Sequence, residues 1–266
     1  MDISVVLPAY NCRDLARQSV LRLHNYLTGW CSSFEIVVVD DGSRPEERVQ
    51  SEGLPSMARV IQMDKNEGKG AAVRRGMLEA QGNVRIFTDI DLPYELDAIK
   101  YAHSLITEKG FHFVAGDRTL ASSRYSSDLP LHRRIASRIF SKFITLFVIG
   151  GIYDSQCGFK AFSATLAKAL FPLLTIDRFS FDVEIYYLVL KYNIVIRRIP
   201  VSLQSHENST VNLFKHALPM ACRIMAIPSK WYSGSYRSQA MLEFVDPPYW
   251  EEQKGQGEHA GTRRLS

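Results

Sequence analysis

Cysteine is scarce in this chain. Its four cysteines, Cys12, Cys31, Cys157 and Cys222, show neither CxxC nor CxxH spacing. That argues against a zinc site or a disulfide framework and for reduced thiols in a cytoplasmic protein. No apolar run is long enough to cross a bilayer. The best contender, 143–153, is short and contains Gly150-Gly151. The start lacks a basic segment followed by an apolar stretch, because Met1-Asp2 leads straight into a strand-like run, so no export signal is read there. The expectation is a cytoplasmic protein that is not integral to a membrane but can rest on its cytoplasmic face. A strong charge of one sign is also missing. Lys and Arg number 32 against 28 Asp and Glu, a formal net charge of +4, too mild to mark a nucleic-acid binder but suited to anionic ligands. There is no internal repeat and no GxxxxGK[ST]. GxGxxG is absent after the first strand, so Walker-type and dinucleotide-binding loops are excluded.

What is present is a core. Apolar residues make up 46% of the 266 and charged residues 23%, enough for one large soluble domain or two small ones. The first half alternates short apolar runs with helical patterns. Residues 3–7 read as a strand stopped by Pro8, 14–27 as a helix on Leu15, Val20, Leu23 and Leu27, and 34–39 as a second strand. Further strands are expected over 59–63, 84–88 and 111–115, and helices over 70–80 and 95–108. This order predicts an α/β fold, a mostly parallel sheet with helices on both faces. Ligands then bind beyond the carboxyl ends of the strands. The second half adds helical patterns over 131–149, 163–174 and 182–192 and a strand over 194–201. The apolar, basic stretch 212–231 is interrupted by Pro219 and Pro228, and a polar, disordered tail is expected from about Pro247.

Asp89-Ile90-Asp91 closes the apolar run 84–88. Two carboxylates at a buried strand's end are costly unless a cation neutralises them, and a divalent metal bridging them to a diphosphate would do so. Asp40-Asp41-Gly42-Ser43 follows the second strand. It reads either as a turn and helix cap or as an acceptor for a base N–H edge or ribose hydroxyl. Asn66-Glu67-Gly68-Lys69-Gly70 precedes a helix. It is either a flexible loop or an anion cradle built from Lys69 and the helix N-terminus. With Pro8-Ala9-Tyr10-Asn11, these motifs all fall at strand carboxyl ends.

Leu7-Pro8-Ala9-Tyr10-Asn11, Val37-Val38-Val39-Asp40-Asp41-Gly42-Ser43, Asn66-Glu67-Gly68-Lys69-Gly70 and Asp89-Ile90-Asp91, in this order, resemble the inverting family 2 glycosyltransferases of the GT-A fold. The resemblance implies transfer of a sugar from a nucleotide diphosphate donor with Mg²⁺ or Mn²⁺. Pro8, Tyr10, Asn11, Asp40 and Asp41 would lie at the base and ribose, Lys69 and Asp89 at the diphosphate, and Asp89 and Asp91 at the metal. Gly116-Asp117-Arg118, the run from Arg133 to Arg138, the run from Asp154 to Phe162, the run from Phe179 to Glu184 and Ile199-Pro200-Val201 are similar to the dolichyl-phosphate glucosyltransferase and polyprenyl-phosphate sugar synthase branch. The likeness covers roughly residues 3–225. It implies a catalytic domain over 1–232, with a nucleotide-binding half 1–118 and an acceptor half 119–232, and a polar tail over 233–266. The family's usual glutamate after PxYN is Cys12 here, and the glutamine that mannosyl relatives carry two residues after the acidic pair is Pro93. A third metal ligand would come from elsewhere in the chain or from water.

Arg118 and Arg133 are expected to fork onto an acceptor phosphate, whereas Arg124, Arg138 and Lys142 read as a solvated face. Asp182 has two readings. With a sugar hydroxyl as acceptor it is the general base. A phosphate monoester is already anionic at neutral pH and needs no base, so Asp182 would then orient the donor or an arginine. The arginine-rich segment favours the phosphate, and hence a hexose, glucose foremost, moving from UDP-glucose to a polyprenyl or dolichyl phosphate. The rivals are a glycan-modifying transferase and a nucleotide-sugar sensor without turnover. Residues 206–210 read as a loop or as a flap over the donor. The stretch 213–231 reads as core packing or as a membrane-surface helix.

Overall fold

A computed structural model describes residues 1–123, 154–203 and 213–244. The expected helix over 131–149, including Arg133, lies outside the described residues, as do the segment 206–210 and residues 245–266. The strands are β1 (Ile3–Ala9), β2 (Phe34–Asp40), β3 (Ala58–Gln62), β4 (Val84–Thr88), β5 (Phe113–Asp117), β6 (Phe159–Ser163) and β7 (Ile196–Pro200). They form one sheet in the order β3-β2-β1-β4-β6-β5-β7. β6 runs antiparallel to β4 and β5, and the other pairs are parallel. The mostly parallel α/β sheet expected from sequence is the one observed.

β1 and β2 are buried over all seven of their residues, as strands covered by helices on both faces must be. Side chains alternate between two cores. Val6, Val37, Val39 and Phe87 face one, with α2 (Lys69–Glu79), α4 (Ala164–Leu170) and α5 (Phe181–Lys191). Val5, Leu7, Ile36, Val38 and Ile86 face the other, with α1 (Arg13–Thr28) and α3 (Asp97–Thr107). α1 buries Ala16, Val20, Leu23 and Leu27, a single apolar stripe at helical spacing. α5 is buried almost all round, from Phe181 to Val189.

Several boundaries differ from expectation, each for a local reason. β1 runs through Pro8 to Ala9, and Pro8 pairs in register with Val39. β5 begins at Phe113, because Phe111 N–H instead closes the turn after α3 on Leu105 C=O. The helix expected over 163–174 ends at Leu170 and tightens into a 3₁₀ turn over Phe171–Leu173, where Pro172 cannot donate. α6 (Leu213–Tyr232) is unbroken by Pro219 and Pro228. Ile224 and Ile227 are fully buried in the core that α5 lines, and such packing overrides local propensity. β6 has no counterpart among the strands that the sequence pattern predicts.

Residues 233–244, assigned to the tail, belong to the fold. α7 (Gln239–Leu242) buries Met241, and Tyr236 is completely enclosed. The Tyr236 hydroxyl donates to the Glu184 carboxylate, and its carbonyl accepts from Tyr192 Oη at 2.6 Å. Glu184 also accepts from Thr175 Oγ1 at 2.6 Å and Ile176 N at 2.9 Å. No helix among the described residues is long and apolar enough to cross a membrane.

Candidate active site

β1 pairs with β2 on one side and β4 on the other, so the sheet's connections diverge there. The crevice beyond the carboxyl ends of β1 and β4 is the expected place for a ligand. Six segments meet along that edge. Those after β1, β2, β3, β4 and β5 are joined by the approach to antiparallel β6, whose Phe159 pairs with Thr88 at the end of β4.

The first two segments lock together. Asn11 has a left-handed backbone, φ 50°. Its N–H donates to Ser43 Oγ at 2.8 Å and its Oδ1 accepts from Arg44 N at 3.0 Å. Asp40, fully buried, accepts from Ser43 N at 2.8 Å and Val49 N at 2.7 Å. Both its oxygens therefore hold the chain's own turn, the bland reading of that aspartate. Asp41 accepts from Glu67 N at 2.8 Å, Gly68 N at 2.9 Å and Asn66 Nδ2 at 3.0 Å. Burial raises its pKa against these hydrogen bonds. Asp41 thus fastens the Asn66–Gly70 loop rather than standing open. Pro8 is buried within β1, whereas Tyr10 is 49% exposed at the crevice edge.

Gly68, with φ 116°, turns the loop into α2, a conformation that side chains disfavour. It delivers Lys69 to the first helical position, where its ammonium pairs with Asp89 Oδ1. Burial opposes the charge on Lys69, but Asp89, Asp182 and Asp91 around it outweigh burial and raise its pKa. The other Asp89 oxygen lies against Gly158, where any Cβ would collide with it. Leu92 N–H closes a turn on Asp89 C=O at 3.0 Å, which keeps Asp91 at the same edge.

Asp182, in the first turn of α5, is buried. Its Oδ1 accepts from Lys160 Nζ at 2.6 Å. Burial pushes the Asp182 pKa up, opposed by Lys160 and Lys69. The Lys160 side chain has no exposure and also donates to Cys157 O at 2.8 Å and Ser155 O at 3.2 Å. Arg118 forks onto Asp154, Nε to Oδ2 at 2.9 Å and an Nη to Oδ1 at 2.6 Å. This bidentate pair is internal to the chain and occupies one edge of the guanidinium, while 28% of the side chain remains exposed.

Lys160, Asp154 and Gly158 fall in the run from Asp154 to Phe162, and no local pattern in the sequence assigns them a role. One signal was readable. Alternation along β6 puts Lys160 on the face of Phe162, and a lone ammonium among aromatics needs a buried acid. A cavity of about 650 Å³ lies behind the Asn66–Glu67 turn, lined also by Lys65, Arg178, Arg223 and Lys230. It contains neither Asp89 nor Asp91.

The sequence pattern described as Glycosyl transferase family 2 matches residues 4–171, which carry every one of these strand-end motifs but not Asp182 of α5. The chain belongs to glycosyl transferase family 2. A dolichyl-phosphate beta-glucosyltransferase of Dictyostelium discoideum is 31% identical over 252 residues, 88% of this chain and 76% of that protein. This family 2 member is accordingly a hexosyltransferase. Its GT-A fold is shared with mannosyl-3-phosphoglycerate synthase of Rubrobacter xylanophilus, TM-score 0.65 at 16% identity, over 88% of this chain and 75% of that one. It is shared too with glucosyl-3-phosphoglycerate synthase of Mycobacterium tuberculosis, TM-score 0.59 at 17% identity, over 92% of this chain and 81% of that one. The latter was solved with Mn²⁺, UDP and glucosyl-3-phosphoglycerate.

Proposed function

We propose that this hexosyltransferase moves glucose from UDP-glucose to a polyprenyl or dolichyl phosphate, with inversion at the anomeric carbon and with a divalent metal. The name of the Dictyostelium relative supports the sugar and the lipid acceptor, and the Mycobacterium neighbour's bound UDP and Mn²⁺ support the donor and the metal. One observation carries the choice of acceptor. Asp182 is buried and its Oδ1 is bonded to Lys160 at 2.6 Å, which favours a positioning role over proton abstraction from a hydroxyl. An acceptor phosphate oxygen, anionic at neutral pH, attacks the anomeric carbon without a base, and the nucleoside diphosphate leaves from the opposite face. In this reading Asp182 and Lys160 position the back of the donor site. Arg118, oriented by Asp154, and Arg133 receive the acceptor phosphate. Tyr10 and Asn11 edge the nucleoside pocket, and Asp41 shapes it through the Asn66–Gly70 loop.

Asp89 and Asp91 would hold the metal. Among the described residues no group of three or more His, Cys, Asp or Glu side chains could hold one. Two hard carboxylates nonetheless fit Mg²⁺ or Mn²⁺, which are bound by one or two carboxylates with phosphates and water completing the shell. That Asp89 already accepts the Lys69 ammonium supports a site built for positive charge. Bound there, the metal would neutralise charge developing on the leaving diphosphate. The exposed Met225, Arg223 and Tyr232 of α6 offer a surface for the membrane that carries the acceptor.

The test is incubation with labelled UDP- and GDP-sugars, polyprenyl phosphate and Mg²⁺ or Mn²⁺. Lipid-extractable β-linked glucose from UDP-glucose is expected. No lipid product with any donor would overturn the reading.

A further inference from the structure

We propose that Lys69 is a stand-in cation, holding Asp89 while the donor is absent and competing with the divalent metal, so that metal enters with the nucleoside diphosphate rather than before it. The inference rests on the assignment of Asp89 and Asp91 to the metal.

Asp89 is hemmed in on both of its oxygens, although about a third of the side chain stays exposed. One accepts the Lys69 ammonium, and the other lies against the main chain at Gly158. A metal that takes Oδ1 displaces Lys69 from it. Asp89 is the carboxylate that this ammonium meets directly, while Asp182 has its own lysine in Lys160. Expelling Lys69 for a bare metal exchanges one cation for another and leaves an ammonium without its carboxylate. A diphosphate changes that balance, because its oxygens give the ammonium a new anionic partner as the metal takes the old one.

The backbone at Lys69 is not the part that moves. Gly68 N–H is held by Asp41 at 2.9 Å, and Ala71 N–H by Asp177 C=O at 3.0 Å. The exchange is left to the side chain, whose flexible stem lets the charge swing while the loop stays fixed.

The test is Mn²⁺ titration of the full chain by electron paramagnetic resonance, with and without UDP. Wild type should bind Mn²⁺ weakly alone and more tightly with UDP. Lys69→Met should bind Mn²⁺ alone at least about tenfold more tightly, as expected when a nearby like charge is removed, and should lose much of the gain from UDP. Lys69→Gln carries the same expectation should the methionine variant fail to fold, and Lys69→Arg, which keeps the charge, should behave as wild type. If removing the charge leaves Mn²⁺ binding without UDP unchanged or weaker, the stand-in role is overturned while the metal site stands. If Asp89→Asn leaves Mn²⁺ binding in the presence of UDP unchanged, the metal assignment itself falls, and the inference with it.

Discussion

Lys160 and Asp182 form an ion pair at 2.6 Å between β6 and α5, with the lysine side chain wholly out of solvent. The ammonium also lies over the rings of Phe87 and Tyr186, so its surroundings are aromatic except for the acid and two carbonyls. A buried pair of this kind adds little net stability, but removing one partner leaves the other uncompensated. Lys160→Met is therefore expected to lower stability by about 3 kcal/mol or more. Urea unfolding of the single variants and of Lys160→Met with Asp182→Leu checks it: the double variant should recover part of the loss. Equal losses that simply add would show that the two residues are not coupled.

Gly158 is the second sensitive point. A methyl group there would drive into Asp89 and turn its carboxylate away from Asp91. Gly158→Ala should lower the transfer rate about a hundredfold, the scale of a displacement of roughly 1 Å at reacting groups. The urea midpoint should move little, since Asp89 is partly exposed and can rotate. A variant that transfers at the wild-type rate would remove Gly158 from the site.

Asp154 provides a pH signature. Burial would raise its pKa, but the Arg118 fork and backbone N–H overcome burial and hold it below the usual carboxylate range. A depressed folded pKa means that its stabilisation is complete above the unfolded value near 3.9 and disappears as pH falls through the lower folded value. Asp154→Asn should cost about 3 kcal/mol at pH 7. The difference from wild type should stay flat down to about pH 5 and shrink only below about pH 4. Thermal melts of both proteins across that range measure it, and a difference that already closes between pH 7 and 5 would contradict the pairing.

The thiols should separate by reactivity. Cys222 is exposed, Cys12 half-buried with burial raising its pKa, and Cys31 and Cys157 are buried, the last with burial pushing its pKa up to about 11. Since the thiolate is the reactive form, a disulfide reagent at pH 7.5 should modify Cys222 fastest and Cys12 slowly. Cys31 and Cys157 should react only after denaturation. Rapid labelling of Cys157 in the native protein would mean that the 154–158 segment opens.

The sheet was legible because its strands announce themselves. Ile3 to Leu7 and Phe34 to Val39 are continuous apolar runs, and the helices between them carry single stripes such as Val20, Leu23 and Leu27. The strand-end positions of Asp41, Lys69, Asp89 and Asp91 followed from that order. What local pattern could not give was partnership. Whether Asp40 turns to solvent or to Ser43 and Val49, and whether Arg118 meets a ligand or Asp154, depends on segments 9 and 36 residues away. β6 gives no strand signal because a lysine at its second position breaks the apolar run that marks a buried strand. Residues 233–244 read as tail because only Tyr236 and Met241 in this short stretch are fully buried, with Leu242 and Phe244 packed partly beside them.

The bond from Tyr236 to Glu184 spans 52 residues, and it has a consequence in time. Glu184 anchors Thr175 and Ile176, and the same turn offers Asp177 C=O to α2 just behind Lys69. As the chain leaves the ribosome, the strands β1 to β4 are made first, yet the carboxylate behind them waits for a hydroxyl 52 residues further along. The sheet can form early in outline, but the turn over 175–177 gains its last anchor only after Tyr236 has been synthesised.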